Sequence, residues 1–461
     1  MTDTIDQQFR ATAAAEAARP AVDDGETELT YAALNAAADA AARSLAAAGL
    51  EAHEPVVAPV SNRAADVAAF LAIWRAGGVV VPIHRSQPKA AFRGLCERLG
   101  NRFVLDGGLA TLSRPPPARR ALLDGAGTII FTSGSTGAPK GVVLAADRAR
   151  AKLAMIQAMT GWRAGENALI GLQLTFSFGQ WATWLTLLNG GTVHLRGRFD
   201  AAEVHGLVAS GAIRRYPAVP TMLRHLLDRG GGAFAGRIMA GGEPLAAALG
   251  RRVREAYPAA GLGDIYGLTE TGTSDFFVRP EDYDSLAGTI GRAGDGIQWR
   301  IDAGSQELEI RSPWRMRGYL DAPEETARAL RDGWFRTGDL ASADATGAVR
   351  LIGRAGDQIN RAGNKISPLE VEAAFLDHAD VAAALAAGAA DPDRGQAVHL
   401  AVVLRPGADV AAAALTEWAA ERLARYQLPD AIHFVDELPS GATGKADRRA
   451  LRRLIETGGL S

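Results

Sequence analysis

A loop rich in glycine and hydroxyl side chains spans residues 131–141, FTSGSTGAPKG. It holds three glycines, four serine or threonine side chains and one lysine, Lys140. Backbone N–H groups, hydroxyls and an ammonium group together can bind phosphate. The pattern is neither a dinucleotide loop nor a Walker loop, because Lys140 follows Pro139, which has no N–H, and precedes Gly141 instead of a hydroxyl residue. The loop therefore predicts a polyphosphate site of another kind.

Five further motifs follow this loop in a fixed order. They are GGEPL (241–245), YGLTETG (266–272), WFRTGDL (334–340), GRAGDQINRAGNKISPLEVE (353–372) and LPSGATGKADRRAL (438–451). With the loop, they resemble the ordered motifs of the AMP-forming adenylating enzymes, a family of acyl-CoA synthetases, peptide-synthetase adenylation domains and luciferases. The resemblance covers nearly the whole chain, is closest to acyl- and aryl-CoA ligases, and implies activation of a carboxylic acid to an acyl-adenylate with transfer to a thiol.

The resemblance assigns the nucleotide roles residue by residue. Glu270 would hold Mg²⁺, Thr269 would hydrogen-bond the α-phosphate, and Tyr266 would pack on adenine. Asp339 would accept hydrogen bonds from both ribose hydroxyls, as a carboxylate can, and Arg354 would reach the ribose or a phosphate. The residues predicted to bind ATP or AMP are Thr132, Ser133, Gly134, Ser135, Thr136, Gly137, Lys140, Gly241, Gly242, Glu243, Tyr266, Gly267, Asp339 and Arg354.

Lys445 matches the family's catalytic lysine, so the predicted catalytic set is Lys445, Thr269 and Glu270. In the family this lysine bridges the attacking carboxylate and the α-phosphate. After adenylation the small domain rotates, which withdraws the lysine and presents the thiol channel, here with Gly363. The usual charged hinge residue is replaced by Gly356, whose backbone can adopt many conformations. The arginines that follow the lysine are interpreted as a solvated helix face: Arg448, Arg449, Arg452 and Arg453.

The segment 175–191 aligns with the family segment that enters the acyl pocket. Amino-acid-activating members carry an aspartate where this chain has Ser177, and burying an ammonium group without a carboxylate is costly. Bulky Phe178 and Ile265 indicate a short, mostly apolar pocket for a small aromatic acid or a short to medium acyl chain. Trp184 is predicted to pack in the core. The predicted pocket residues are Ser177, Phe178, Trp181, Ile238, Ala240, Ile265, Thr273 and Ser274.

The sequence leaves three candidate acceptors for the acyl group, which are CoA, a carrier-protein phosphopantetheine thiol and an amine. The resemblance favours CoA, so the expected cofactors are ATP, Mg²⁺ and CoA or carrier-bound phosphopantetheine, and the expected partners are a small carboxylic acid and CoA or an acyl carrier protein. A non-catalytic role as a binding partner is disfavoured because the key side chains are intact: Lys140, Glu270, Asp339, Arg354 and Lys445.

Alternating strand and helix patterns must position these motifs. A helix is predicted over 30–49, with Thr30 as its cap and Gly49 at its end. Short apolar segments then alternate with helical ones, which predicts parallel strands. Residues 285–352 predict antiparallel β structure. The predicted fold is α/β, with a large N-terminal domain (1–352) of α/β layers plus a small β-barrel-like subdomain, a hinge (353–357) and a small mobile α+β domain (358–461).

Composition narrows the class of protein. A chain of 461 residues is too long for one ordinary core, which predicts two or three domains. A net charge of −2 gives no reason to expect nucleic acid. Cys96 is the single cysteine, which excludes an internal disulfide, and it is expected to be buried and inert. No secretory signal or membrane span is predicted, so the cytoplasm is the expected location.

Overall fold

The computed structural model describes residues 4–112, 114–115, 117–132, 139–440 and 446–460. Six of the predicted site residues lie outside the described residues. They are Ser133, Gly134, Ser135, Thr136 and Gly137 of the phosphate loop, and the predicted catalytic Lys445.

The helices within the described residues are numbered in chain order. They are α1 (Ile5–Ala15), α2 (Tyr31–Ala47), α3 (Ala64–Arg75), α4 (Lys89–Leu99), α5 (Ala146–Thr160), α6 (Ser177–Leu188), α7 (Ala201–Ala209), α8 (Pro220–Leu227), α9 (Ala247–Ala256), α10 (Tyr283–Leu286), α11 (Pro323–Ala329), α12 (Pro368–Leu376), α13 (Ala412–Ala420) and α14 (Arg448–Glu456).

The strands are numbered in the same way. They are β1 (Pro20–Asp23), β2 (Glu28–Thr30), β3 (Pro55–Val60), β4 (Val79–His84), β5 (Phe103–Leu105), β6 (Leu109–Thr111), β7 (Ala126–Thr132), β8 (Lys140–Ala145), β9 (Ala168–Ile170), β10 (Val193–Leu195), β11 (Arg215–Ala218), β12 (Arg237–Gly241), β13 (Gly261–Tyr266), β14 (Phe276–Val278), β15 (Arg292–Ala293), β16 (Gln298–Ile301), β17 (Glu307–Arg311), β18 (Gly318–Tyr319), β19 (Leu330–Arg331), β20 (Trp334–Ala343), β21 (Val349–Arg354), β22 (Ile359–Arg361), β23 (Asn364–Ile366), β24 (Val381–Asp391), β25 (Gly395–Leu404) and β26 (Ala431–Phe434).

Two large sheets form the first part of the chain. One has the strand order β15-β14-β13-β12-β11-β9-β10-β1-β2, and the other β18-β8-β7-β4-β3-β5-β6. Their central strands run parallel, from β1 through β10, β9, β11 and β12 to β13, and from β5 through β3 and β4 to β7. The parallel α/β arrangement predicted from the alternating pattern is confirmed.

Local sequence explains the helix that the sequence predicts over 30–49. Thr30 caps α2 by accepting a hydrogen bond from the Ala33 N–H at 3.2 Å. Leu34 and Leu45 are fully buried on one side of this helix, and Gly49 follows its end with a φ of 79°, a conformation that glycine adopts without strain. The predicted cap, apolar side and end are all confirmed.

Two smaller sheets follow. Strands β16, β17, β20, β19 and β21 pair antiparallel, as expected for the small β subdomain. Strands β23, β22, β25, β24 and β26 form the last sheet, against which α12 and α14 pack. The fold class predicted from the sequence is confirmed, while the exact domain limits stay predictions.

The largest buried cluster joins side chains from both large sheets and from the helices between them, including Phe9, Leu34, Phe70 and Leu185. Cys96 is buried in a smaller cluster beside β3 and β4, as predicted. Within the described part of the chain, no helix has the length and apolarity that crossing a membrane requires. The cytoplasmic location stays a prediction.

Candidate active site

Strands β12 and β13 bring two of the predicted motifs to one edge of the nine-stranded sheet. They are parallel neighbours, with Gly241 opposite Ile265, so GGEPL and YGLTETG both begin where their strands end. Ligands of open α/β sheets bind at this carboxyl edge. The turn that follows is tight, because a Cβ on Gly267 would lie 2.2 Å from the Ser274 nitrogen. Only glycine fits at this position.

Glu270 lies in a 3₁₀ turn, Thr269–Thr271, beside two groups from the other large sheet. The Tyr319 hydroxyl donates to the Glu270 carboxylate at 3.1 Å, and Lys140 Nζ lies 5.2 Å from the centre of the Tyr319 ring. Burial raises the pKa of Glu270, and the Tyr319 hydrogen bond and the charges of Arg354 and Lys140 offset this only in part. The site therefore holds a carboxylate that a nearby cation would stabilise.

Asp339 and Arg354 lie directly opposite each other on β20 and β21. Arg354 Nε donates to Asp339 Oδ1 at 2.8 Å, and the Tyr266 hydroxyl donates to Oδ2 at 2.6 Å. The negative charge of Asp339 raises the pKa of Arg354, and burial raises the pKa of Tyr266. Three residues predicted to bind the nucleotide thus form one hydrogen-bonded group.

The described residues on either side of the phosphate loop and beside Lys445 also reach this region. Thr132 ends β7 and pairs with Lys140, which begins β8. The Ala446 N–H donates to Glu243 Oε1 at 3.2 Å. Ala446 directly follows Lys445 in the chain. Its hydrogen bond to Glu243 therefore connects the last motif (438–451) to GGEPL.

A cavity of about 250 Å³ is lined by helices α5 and α6 together with residues of α1, β7 and β8, and we call it the α5–α6 cavity. One face of each helix walls it, since the lining residues recur at spacings of three and four. They are Ser177, Gln180, Trp181 and Trp184 from α6, and Ala149, Lys152, Leu153 and Ile156 from α5.

The predicted acyl-pocket residues divide between two places. Ser177, Trp181 and Thr273 line the α5–α6 cavity. The others lie toward β12 and β13, where Ile238, Ala240, Ile265 and Ser274 are buried. Phe178 stacks on Trp181 with ring centres 5.2 Å apart, and a Cβ on Gly241 would meet Phe178 at 3.0 Å and Ile265 at 2.6 Å. This second region is filled by its own side chains.

The predicted hinge and thiol-channel glycines are both exposed. Gly356 lies in the turn after β21, with open space where a Cβ would be, and Gly363 has a φ of +83°. The Asp357 N–H donates to the Arg354 oxygen at 3.0 Å across the Gly356 turn. The hinge and channel roles stay predictions.

The interpretation of the arginines after Lys445 as a solvated face is wrong for Arg448. Its side chain is 15% exposed and pairs with Glu372 of α12. It also donates to the Ala386 oxygen of β24 and lies 3.7 Å from Asp357 beside the predicted hinge. Arg453, by contrast, is 67% exposed. The buried carboxylate of Glu372 requires a cation, and Arg448 is the one that α14 supplies.

The sequence analysis did not single out Tyr319 or the pair Lys152–Asp275. Tyr319 reaches the site because β18 pairs with β8, with Tyr319 opposite Val142. Lys152 and Asp275 are both buried, with their charged atoms 2.8 Å apart, and the Lys152 ammonium lies 5.0 Å from the centre of the Trp314 ring. No local pattern marks these residues, since their contacts join distant segments.

Comparison with known families agrees with this geometry. The family model described as AMP-binding enzyme matches residues 9–122 and 111–320. The model described as AMP-binding enzyme C-terminal domain matches residues 370–445. Together they include most of the chain.

Individual relatives are similar over much of their length. A feruloyl-CoA synthase from Amycolatopsis sp is 30% identical over 475 residues, covering 94% of this chain and 95% of the relative. A fatty acid–acyl-carrier-protein ligase from Streptomyces coeruleorubidus is 33% identical, covering 70% of this chain and 66% of the relative. The crystal structure of an anthranilate CoA ligase with anthranoyl-AMP has a TM-score of 0.88 at 21% identity, covering 99% of this chain and 98% of the other.

Proposed function

Because this chain belongs to the family of AMP-binding enzymes, we propose that it joins a small carboxylic acid to the thiol of CoA in two steps. In the first step, a carboxylate oxygen attacks the α-phosphorus of ATP and forms the acyl-adenylate. The bond from the α-phosphorus to the bridging oxygen breaks, and pyrophosphate leaves. In the second step, the thiol sulfur attacks the acyl carbon, the thiol proton is lost, and AMP leaves.

The observation that carries this proposal is the placement of two polar groups at the carboxyl edge of β12 and β13. Glu270, Tyr319 and Lys140 form one group, and Asp339, Arg354 and Tyr266 the other. The first suits the triphosphate and the second suits the ribose, as the sequence predicts. Thr269, next to Glu270, would hydrogen-bond the α-phosphate.

The residues present fit a magnesium ion bound together with ATP. The described residues contain no group of three or more His, Cys, Asp or Glu side chains that could hold a metal. Mg²⁺ commonly binds through one or two carboxylates plus substrate phosphates, and the buried Glu270 carboxylate supplies such a ligand. When bound there, Mg²⁺ would neutralise charge on the phosphates during pyrophosphate release.

The chain's own residues would do the remaining work. Arg354 and Tyr266 hold Asp339, which would accept hydrogen bonds from the ribose hydroxyls, and Tyr319 holds Glu270. Lys140 and Lys445 would supply positive charge to the phosphates and to the attacking carboxylate, where a preorganised donor is worth roughly 10²–10³ in rate. The role of Lys445 comes from the motif it occupies.

A carrier-protein thiol is the second candidate acceptor. The similarity to a fatty acid–acyl-carrier-protein ligase favours it, whereas the similarity to a feruloyl-CoA synthase over nearly the whole chain favours CoA. An amine acceptor stays the third alternative.

The test uses the full chain with ATP, Mg²⁺ and a panel of aryl and alkyl acids, and compares three acceptors. CoA, a phosphopantetheinylated carrier protein and a simple amine are supplied separately, and AMP and the acyl product are quantified by mass spectrometry. We expect acyl-CoA with equimolar AMP. Acylated carrier protein formed much faster than acyl-CoA would instead assign the second candidate, and AMP without any acyl product would contradict ligase activity.

A further inference from the structure

We propose that the α5–α6 cavity is the acid-binding pocket of this enzyme and that it takes a neutral aromatic ring, so that the substrate is a monocyclic aryl acid. This inference rests on the proposed function and names the substrate class of the same site. It differs from the pocket predicted from the sequence, most of whose residues lie toward β12 and β13.

The cavity begins at the reacting groups. Ser177 lines it, and the Ser177 Oγ lies 3.5 Å from Thr269 Oγ1, beside the predicted position of the α-phosphate. Gly272 and Thr273 also line it, directly after Thr269 and Glu270 in the chain. An acid whose carboxylate lies at Thr269 can therefore extend the rest of its molecule past Ser177 into the space between the two helices.

The described residues of the alternative region toward β12 and β13 pack closely against one another. Phe178, Ile265 and the Gly241 backbone approach one another so closely that even a Cβ on Gly241 would lie 2.6 Å from Ile265. Ile238 and Ala240 behind them are 1% and 0% exposed. A ring could enter only after these side chains moved.

The size of the cavity selects a small substrate. A cavity of roughly 150 Å³ in another protein binds one benzene molecule, and the α5–α6 cavity, at about 250 Å³, has room for a ring with a few more atoms. It lies below the roughly 300–1,000 Å³ of common ligand pockets. This volume therefore favours a small acid over a long acyl chain.

The walls favour a ring over an alkyl chain of equal volume. Trp181 and Trp184 form the α6 wall, and Trp184 is backed by Trp74 with ring centres 5.0 Å apart. Aromatic rings gain from stacked and edge-to-face contacts with such side chains. An alkyl chain also loses rotamer freedom when confined, a loss that a rigid ring avoids.

Charge at the walls favours a ring without an ionised substituent. Lys152 in the α5 wall already pairs with Asp275 at 2.8 Å, and Asp6 at the cavity edge pairs with Arg75 at 2.7 Å. Arg148 donates to the backbone oxygen of Arg315. An added carboxylate beside Lys152 or Asp6 would have to displace one of these ion pairs or remain buried without a counterion, which is costly.

The experiment measures acid-dependent ATP–pyrophosphate exchange with benzoic, cinnamic, hexanoic, decanoic and benzene-1,4-dicarboxylic acids. We expect kcat/KM for benzoic or cinnamic acid to exceed that for the other three by about tenfold or more, since tenfold needs only ~1.4 kcal/mol. A preference for an alkyl acid or for the dicarboxylic acid overturns the inference and leaves the proposed function intact. Exchange with none of the acids overturns both.

Two leucine variants on one helix test the position of the pocket. Ala149→Leu adds bulk to the cavity, whereas Ala154→Leu adds the same bulk on the exposed side of α5. Ala149→Leu should raise KM for the preferred ring acid about tenfold or more while KM for ATP changes little, and Ala154→Leu should leave both close to wild type. Equal KM for the acid in both variants would overturn the inference.

A variant that enlarges the cavity keeps the proposal testable if Ala149→Leu misfolds. Trp184→Phe enlarges the cavity and keeps an aromatic wall. The ratio of kcat/KM for 4-ethylbenzoic acid over benzoic acid should rise about tenfold relative to wild type. An unchanged ratio would show that Trp184 does not limit the pocket and would contradict the proposal.

Discussion

Glu270 shows at the residue scale how burial prepares a side chain for a ligand. The fold removes water from this carboxylate, which raises its pKa, and a backbone N–H and the Tyr319 hydroxyl offset this only in part. Asp339 differs, because Arg354 and Tyr266 occupy both of its oxygens. We infer that Glu270 would be stabilised by a bound cation. Asp339 is already held in position to accept from the ribose hydroxyl groups.

Replacing Glu270 by glutamine should separate function from stability. The folded-state pKa of Glu270 lies above its ordinary value of 4.5, so its ionisation destabilises the fold increasingly as the pH rises from that value through the folded pKa. Glutamine stays neutral and removes this cost. We predict that Glu270→Gln lowers acid-dependent exchange by roughly 10²–10³, while the unliganded variant is at least as stable as wild type at pH 7.

Thermal unfolding at pH 5 and pH 7 and pyrophosphate exchange measure the two effects. Glu421→Gln is the matched control, since Glu421 is 76% exposed and pairs with the neighbouring Arg422. Wild-type exchange in Glu270→Gln would show that this carboxylate does not serve the reaction.

Helix α14 shows at the scale of elements how a charged segment can be part of a core. Four arginines follow Lys445 closely, and their sequence suggests only solvation. The structure instead places Arg448 against Glu372 of α12 and the Ala386 oxygen of β24, with Leu451 fully buried. Arg448 thereby connects α14 to α12, to the last sheet and to Asp357 beside the predicted hinge.

We predict that Arg448→Ala destabilises the C-terminal part of the chain by about 3–5 kcal/mol, because it leaves the buried Glu372 carboxylate without its cation. Arg453→Ala, at an exposed position of the same helix, should change stability by only about 0.5 kcal/mol. Denaturant unfolding of both variants decides the point. Similar effects of the two substitutions would restore the interpretation of Arg448 as a solvated residue.

The parts of the site that the sequence could predict are those that local chemistry marks. Glycines that no other residue can replace, such as Gly267, and acidic or hydroxyl residues just after strands appear as motifs in fixed order. Tyr319 and the α5–α6 cavity could not be predicted in this way, because they depend on the pairing of β18 with β8 and on the spacing of two helices. The strand order of both sheets likewise depends on contacts between distant segments.

At the scale of the whole molecule, the two half-reactions are expected to need different orientations of the two predicted domains. Among the described residues, contacts between the C-terminal part and the first part include the Ala446–Glu243 hydrogen bond, the Arg251–Asp377 ion pair and the Ser367 hydroxyl, which donates to the Ile352 oxygen. The second of these is an exposed ion pair, which contributes about 0–1 kcal/mol. A rotation about the predicted hinge would have to break these contacts, of which the Ser367 hydrogen bond lies next to the hinge itself.

Gly356→Ala tests this rotation. In the present orientation nothing lies within 4 Å of a Cβ added at Gly356. The φ of Gly356 is also not positive, so alanine can adopt this conformation. The rate of adenylation should therefore stay close to wild type. If the second orientation uses a left-handed conformation, alanine costs about 1–2 kcal/mol there. We then expect thioester formation to fall about tenfold, with acyl-adenylate accumulating on the enzyme.

Single-turnover rates of the two half-reactions measure this difference. Gly94→Ala in α4 is the control, because it too has open space around an added Cβ and no positive φ. If Gly356→Ala changes neither rate, rotation must use other residues of 353–363.

The measurement that tests the central claim most directly is ATP–pyrophosphate exchange in wild type and Lys445→Ala. Exchange in wild type should require both Mg²⁺ and a carboxylic acid. In Lys445→Ala it should fall roughly 10²–10³-fold, while thioester formation from a preformed acyl-adenylate is largely kept. Exchange that no acid of a broad aryl and alkyl panel supports, or that proceeds without any acid, would contradict acyl-adenylate formation by this protein.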